Sequence, residues 1–218
     1  MSADDRHSKA DEPLLVADAD EKARVEAANG LKQFDQVIGM VREWTDGGRQ
    51  FRLRPSMLLS LQRTALDGLS GYAGNYRPGA VEIGKSKHVP PPAYLVPEFV
   101  EDMCEYVNTN FADKTAAHLA AYVMWRLNWI HPFADGNGRT SRAASYLVLS
   151  VKSGHVLPGA KTIPEQIALN KRPYYEALEE ADEACREGRV DVSAMEGLLS
   201  SALAVQLVDY HKTATGQG

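Results

Sequence analysis

A helical spacing of apolar residues dominates the chain from residue 20 onward. Apolar side chains recur every three or four positions between residues 25 and 41, which predicts one long amphipathic helix. The Asp46-Gly47-Gly48 sequence marks the end of that helix. The same spacing predicts further helices over residues 55–69, 97–108, 115–129, 138–153, 164–169, 172–186 and 192–210. The chain is therefore expected to be mainly α.

Residues 71–92 interrupt this pattern and are rich in glycine and proline. Within them, residues 80–89 are the best strand candidate in the chain, because turn-forming residues flank the apolar run at 80–83. We expect a short β-hairpin here, ended by the prolines at 90–92. The predicted organisation is a single helical domain over residues 20–210, between a flexible acidic tail at 1–19 and a polar tail at 211–218.

Composition narrows the class of protein. The chain has 218 residues, of which 44% are hydrophobic and 24% charged, a mixture typical of a globular protein. Its net charge of -5 argues against a protein that coats nucleic acid, so no direct nucleic-acid binding is expected. Two cysteines cannot form a disulfide scaffold. Because no signal peptide and no membrane-length apolar run is visible, we expect a cytoplasmic protein without membrane contact.

The residues best suited to chemistry form one segment, 131–142, which reads HPFADGNGRTSR between two predicted helices. Its Gly136, Asn137 and Gly138 tolerate left-handed backbone angles, and consecutive amides in such a turn form a concave site for anions. The predicted helix that follows adds its own N-terminal amides. Arg139 and Arg142 lie three residues apart, so they project from neighbouring positions and suit phosphate oxygens. The segment therefore predicts a phosphate-binding site.

Two further side chains give this phosphate site reactivity. Asp135 lies at its mouth, where one carboxylate together with phosphates would hold Mg²⁺. His131 is the group in the segment that accepts a proton near neutral pH. Each feature alone also fits a plain turn that caps a helix. Together, within twelve residues, they favour phosphoryl or nucleotidyl transfer to a hydroxyl.

A competing pattern lies at residues 79–86, which fit the P-loop sequence G-x-x-x-x-G-K-[ST]. A P-loop needs a helix directly after it, because the amides at the start of that helix bind phosphate. Here three prolines follow at 90–92 and preclude such a helix. We therefore reject a P-loop ATPase or GTPase.

Residues 131–142 match HPFx[D/E]GNGRxxR, the signature of the Fic family, at every fixed position. The chain resembles this family over roughly residues 21–210, which implies a Fic-type helical domain with a small β-hairpin flap. Most members transfer AMP from ATP to a Ser, Thr or Tyr hydroxyl of a protein and release pyrophosphate. The resemblance implies His131 as the base, Asp135 as the Mg²⁺ ligand, and Gly136, Asn137, Gly138, Arg139 and Arg142 as phosphate-binding or bracing residues.

The resemblance also implies a binding region for the target protein. The family's flap corresponds to residues 83–89, whose backbone would pair with a segment of the target. Lys85, Ser86, Lys87 and His88 would border the nucleotide. Tyr174 and Tyr175 match the family's paired tyrosines beside the nucleoside, and they also fit core aromatics at the start of a helix.

The sequence leaves open how the activity would be inhibited. Many Fic proteins are silenced by a glutamate in [S/T]xxxE[G/N], which pairs with the second motif arginine, here Arg142. Two segments match this pattern in part, one ending at Glu12 and one at Glu196. Because both depart from the pattern, we expect any inhibition to come from a separate, antitoxin-like protein.

Three functions are compatible with these residues. The first is a protein adenylyltransferase that uses ATP with Mg²⁺. The second is a Fic-fold transferase with another nucleotide or phosphoryl-linked donor, and the third is a non-catalytic Fic-fold binding module. The Doc branch, which phosphorylates its targets, carries lysine where this chain has Gly138, so the resemblance favours AMP transfer.

Overall fold

The computed structural model describes residues 6, 8–10, 15–48 and 50–216. In this part of the chain there are eight α-helices, a 3₁₀ turn at Ala93–Leu95 and two very short strands. The helices are α1 (Ala19–Asp46), α2 (Pro55–Leu66), α3 (Val96–Thr109), α4 (Ala116–Ile130), α5 (Asn137–Ser153), α6 (Ile163–Leu169), α7 (Arg172–Arg186) and α8 (Ser193–Thr215). The strands are β1 (Ser8–Lys9) and β2 (Glu82–Ile83). The mainly α class predicted from the apolar spacing is confirmed.

The strand pairing differs from the expected hairpin. β2 is only two residues long, and its antiparallel partner is β1 near the N-terminus rather than a second flap strand. A turn follows β2, with Lys85 in the left-handed region at φ 60°, and prolines 90–92 have no N–H to donate to a ladder. Residues 8 and 9, within the predicted tail, thus form part of the small sheet. At the other end, α8 continues to Thr215, into the segment expected to be a polar tail.

α4 forms the centre of the domain. Its side chains are apolar on nearly all sides and most are buried, as expected for a helix surrounded by other elements. It packs against α3, α5, α7 and α8, and residues 131–136 join it to α5. The ends of two buried helices therefore hold the segment that the sequence singles out for chemistry.

The long helix α1 is fixed to α2 by buried amide side chains. Gln33 donates from Nε2 to the carbonyl oxygen of Leu61 at 2.9 Å, and Asn29 donates from Nδ2 to that of Asp67 at 2.7 Å. Both amides are almost fully buried, so these bonds satisfy groups that would otherwise destabilise the interface. They also fix Glu26, one turn earlier, close to the start of α5.

Within the described residues, no helix combines the length and the apolar character needed to cross a membrane.

Candidate active site

His131 ends α4 in a left-handed backbone conformation, with φ 50° and ψ 58°. Its N–H donates to the carbonyl oxygen of Leu127 at 2.9 Å, which closes the last turn of the helix. A non-glycine residue in this region is strained, and such strain persists only where the surroundings fix it. Phe133, fully buried and stacked against Tyr76, anchors the loop in the core as its apolar character predicts.

The hydrogen bonds of His131 determine which ring nitrogen carries the proton. Nδ1 lies 3.2 Å from the carbonyl oxygen of Asn128, which can only accept, so Nδ1 is protonated in the neutral ring. Nε2 then presents its lone pair to the cavity. Burial lowers the pKa of His131 to about 4, partly offset by the bond to the Asn128 carbonyl, so the imidazole is neutral at pH 7. The side chain is therefore in the state that a general base requires.

Arg77 holds the His131 loop in place. Its Nε donates to the carbonyl oxygen of His131 at 2.8 Å, and its N–H donates to that of Pro132 at 2.9 Å. The guanidinium also donates to the carbonyl oxygens of Gly79, at 2.7 Å, and Pro91. Arg77 is only 3% exposed, and burial lowers its pKa. One buried cation thus joins the His131 loop to both ends of the segment 79–91, which contains the flap.

The glycine-rich turn is built around a buried asparagine. Asn137 accepts at Oδ1 from the N–H of Phe133 at 3.0 Å and donates from Nδ2 to the Phe133 carbonyl oxygen at 2.8 Å. Gly136 precedes it with φ 80°, and a Cβ atom there would lie 2.3 Å from Cδ2 of Leu66. Both the backbone angle and the space therefore require glycine. Among the described residues, no side chain caps the N-terminus of α5, so its first amides can face an anion.

Asp135 and Arg139 form the charged edge of this turn. Oδ1 of Asp135 accepts from the N–H of Gly136 at 2.6 Å, and Oδ2 lies 3.2 Å from Nη2 of Arg139. Arg139 also pairs with Glu26 of α1 through Nη1 at 3.5 Å. Gln62 supports the loop from α2 by donating to the Asp135 carbonyl oxygen at 3.2 Å. The carboxylate of Asp135 is 43% exposed, so it can reach a ligand in the cavity.

Arg142 is a partly buried cation below the turn. Burial lowers its pKa, and the side-chain oxygen of Tyr174 supports it through a hydrogen bond. None of the ion pairs among the described residues includes Arg142. Tyr174 itself is 2% exposed, and burial raises its pKa. Tyr175 lies beside it, with the two ring centroids 5.5 Å apart.

These residues line one cavity of about 410 Å³, a volume typical of small-molecule sites. The catalytic, phosphate-binding and nucleoside residues expected from the sequence all lie on its wall, and they are His131, Asp135, Gly136, Asn137, Gly138, Arg139, Arg142, Tyr174 and Tyr175. Of the expected flap residues, Ser86 and His88 also line it. Lys85, in the turn after β2, and Lys87 are exposed and are not part of the lining.

The cavity offers a metal ion only one carboxylate from the loop. Among the described residues, no group of three or more His, Cys, Asp or Glu side chains could hold a metal ion. Mg²⁺ would therefore need oxygen ligands from phosphates and water, as it commonly does in nucleotide sites. The exposed Oδ2 of Asp135, next to open helix amides, fits that arrangement.

The N-terminal segment also enters the cavity. Ser8 and Lys9 pair with Ile83 and Glu82, respectively, in the small sheet. The Oγ atom of Ser8 lies 2.8 Å from Nε2 of His131. In the sequence, Ser8 is the first residue of the partial [S/T]xxxE match that ends at Glu12. Its contact with His131 was not predicted, because a two-residue strand leaves no periodic signal.

Of the two candidate inhibitory glutamates, only Glu196 lies within the described residues. Glu12 lies outside them. Glu196 accepts from Nδ1 of His118 at 2.8 Å, and it is not part of the cavity wall that contains Arg142.

Comparison with known proteins finds similarity to one family. Residues 52–149 match the Fic/DOC family. A probable protein adenylyltransferase from Aquifex aeolicus is 29% identical over 109 residues, which cover 50% of this chain and 31% of that protein. The protein adenylyltransferase Fic of Drosophila persimilis is 32% identical over 130 residues, which cover 58% of this chain and 23% of that protein. The match thus spans less than a third of the length of these relatives.

Solved structures share the fold. A Fic-domain-containing signalling protein from Bacteroides thetaiotaomicron superposes with a TM-score of 0.68 at 22% identity, covering 88% of this chain and 74% of that one. A Fic family protein from Desulfovibrio desulfuricans superposes with a TM-score of 0.60 at 19% identity, covering 91% of this chain and 70% of that one. At these identities the likeness establishes the architecture.

Proposed function

The chain belongs to the Fic/DOC family, and we propose that it is a protein adenylyltransferase. It would transfer AMP from ATP to a Ser, Thr or Tyr hydroxyl of a target protein and release pyrophosphate. The names of the relatives from Aquifex aeolicus and Drosophila persimilis support this activity at the level of the family.

One observation carries the proposal. The unprotonated Nε2 of His131 faces a cavity whose wall contains the Gly136–Gly138 turn and the N-terminus of α5, which no described side chain caps. A base opposite an anion site is the arrangement needed to activate a hydroxyl against a phosphate. A module that only binds a ligand would need neither the strained His131 backbone nor its depressed pKa.

In the proposed reaction, His131 takes the proton of the attacking hydroxyl at Nε2. The amides of the first turn of α5 hold the α-phosphate and stabilise the charge that develops on its oxygens. Arg139 and Arg142 orient the outer phosphates, and their charges favour departure of pyrophosphate. Mg²⁺, bound by Asp135 and the phosphates, would neutralise part of the triphosphate charge.

The flap is the proposed docking strand for the target protein. β2 presents backbone groups to an added strand, and in this structure β1 uses them. A target segment that pairs in the same way would bring its hydroxyl to His131. We further propose that a separate inhibitory protein acts by placing a carboxylate on Arg142, the partly buried cation that a γ-phosphate would otherwise neutralise.

A labelling experiment tests the activity. The full chain is incubated with Mg²⁺, a bacterial lysate as a source of acceptor proteins, and ATP labelled at either the α- or the γ-phosphate. Protein-bound α-label without γ-label is expected, and it should disappear in His131→Ala. Label from the γ-phosphate alone would instead identify a kinase, and no label from either would leave another donor or a binding module.

A further inference from the structure

The described part of the N-terminal segment occupies the position of an acceptor in the cavity. On the basis of the function proposed above, we propose that Ser8 is itself an acceptor, and that the chain transfers AMP to the Oγ atom of its own Ser8. The contacts of Ser8, its attachment to the flap and the space left beside it support this assignment.

The hydrogen bonds around Ser8 fix the direction of its hydroxyl proton. Oδ1 of Asn137 accepts from a backbone N–H, so its other side-chain atom is the NH₂ group, and this group donates to Ser8 Oγ at 3.3 Å. The Ser8 hydroxyl therefore donates to Nε2 of His131, 2.8 Å away, where the lone pair lies. A hydroxyl that donates to a neutral imidazole is the arrangement of an activated nucleophile.

The described residues Arg6 and Ser8 of this segment contact α7 and β2, respectively. Ser8 pairs with Ile83 of β2 in an antiparallel register. Two residues earlier, the N–H of Arg6 donates to the Tyr175 hydroxyl at 3.2 Å, and the Arg6 guanidinium lies 4.3 Å from the centre of the Tyr175 ring. Arg6 also forms an ion pair with Glu179 of α7. These contacts come from two different elements, β2 and α7, so the position of Ser8 does not depend on a single bond.

Space for a donor remains next to the hydroxyl. The cavity of about 410 Å³ is lined by Ser8 together with the Gly136–Gly138 turn. An α-phosphate on that turn would therefore lie beside Ser8 Oγ rather than behind another side chain.

The reaction balances with ATP as the only co-reactant. His131 Nε2 takes the hydroxyl proton while Oγ forms a bond to the α-phosphorus. The bond from that phosphorus to the oxygen bridging the β-phosphate breaks, and pyrophosphate leaves with the electron pair. The product is a phosphodiester between Ser8 and AMP, and the imidazole returns its proton to water.

The test uses the full chain, Mg²⁺ and α-labelled ATP, followed by proteolysis and mass spectrometry. AMP is expected on the peptide that contains Ser8. Ser8→Ala should lose this label and Ser8→Thr should retain label at position 8, because threonine keeps the hydroxyl. Ser201→Ala, an exposed serine on α8, is the matched control and should label like the unaltered chain.

A mixing experiment tests whether the transfer is intramolecular. A tethered acceptor has an effective concentration on the order of 1 mM, so at about 1 µM protein the reaction within a chain should be about a thousandfold faster than between chains. A His131→Ala chain with Ser8 intact, mixed with a Ser8→Ala chain, should therefore stay nearly unlabelled at position 8. If Ser8 of the His131→Ala chain in this mixture were labelled as fast as Ser8 of the unaltered chain alone, transfer within one chain would be refuted.

A lysate included in the same reaction separates the two proposals. If lysate proteins acquire α-label that depends on His131 while position 8 stays unlabelled, Ser8 is refuted as an acceptor and the adenylyltransferase stands. If no protein acquires α-label, the adenylyltransferase is refuted, and the Ser8 assignment with it.

Discussion

Acid should weaken this fold through His131. The pKa of the folded-state imidazole is about 4, against an ordinary value of 6.5 in the unfolded chain. Between these values the unfolded chain binds a proton that the folded chain does not, so the free energy of unfolding falls as the pH drops from 6.5 to 4. Each pKa unit corresponds to about 1.4 kcal/mol, which makes the expected loss about 3 kcal/mol. A domain of this size is stable by only about 5–15 kcal/mol, so the effect is measurable.

The assay is urea unfolding at several pH values between 7 and 4, on the unaltered chain and on His131→Asn. Asparagine tolerates the left-handed backbone and does not titrate, so carboxylates that titrate in both proteins cancel in the difference. The stability advantage of the unaltered chain over the variant should fall by about 3 kcal/mol across this range. His211→Asn, at an exposed position on α8, is the matched control for the substitution. Parallel curves for the unaltered chain and His131→Asn would refute the buried, neutral imidazole.

Three substitutions test the residues that hold the loop in place or would bind the metal ion. Arg77→Met leaves three side-chain hydrogen bonds to backbone carbonyl oxygens unmade, and it should lower the free energy of unfolding by about 3–5 kcal/mol in urea titrations. Gly136→Ala adds a clash with Leu66 to backbone strain and should cost about 2–5 kcal/mol in the same assay. Asp135→Asn should change stability by less than about 1 kcal/mol, because its ion pair is partly exposed, yet reduce AMP transfer about a hundredfold.

Controls separate the causes in these predictions. Gly188 has φ 78° but nothing within 4 Å of an added Cβ, so Gly188→Ala measures the backbone strain without the clash. Equal losses for Gly136→Ala and Gly188→Ala would contradict the steric argument. An unchanged free energy of unfolding in Arg77→Met would show that water hydrogen-bonds these carbonyl oxygens instead. Full AMP transfer by Asp135→Asn would remove this carboxylate from the proposed metal site.

The helices and the motif loop were predictable because their signals are local. Apolar residues at helical spacing fixed the eight helices to within a few residues, and glycine with asparagine at 136–138 marked the turn between two of them. The reactive side chains expected from the loop are contiguous in sequence, so one turn places them together. Their placement on one cavity wall could thus be anticipated without knowledge of the tertiary packing.

Contacts between distant residues were not predictable in the same way. Arg77 holds a carbonyl oxygen 54 residues away, and its own surroundings in the chain are a glycine- and proline-rich stretch that gives no sign of burial. Ser8 meets His131 across 123 residues through a strand too short to show alternation. The depressed pKa of His131 follows from burial by other elements, which no local pattern encodes.

The left-handed backbone of His131 lowers the stability of the fold at the residue on which the proposed activity depends. Helices often end with glycine at such a position, since a side chain there adds about 1–2 kcal/mol of strain. A library of variants sorted only for resistance to heat would therefore tend to accumulate glycine or asparagine at position 131. The survivors would be more stable chains without this imidazole, so under the proposed function they would be inactive copies of the same fold.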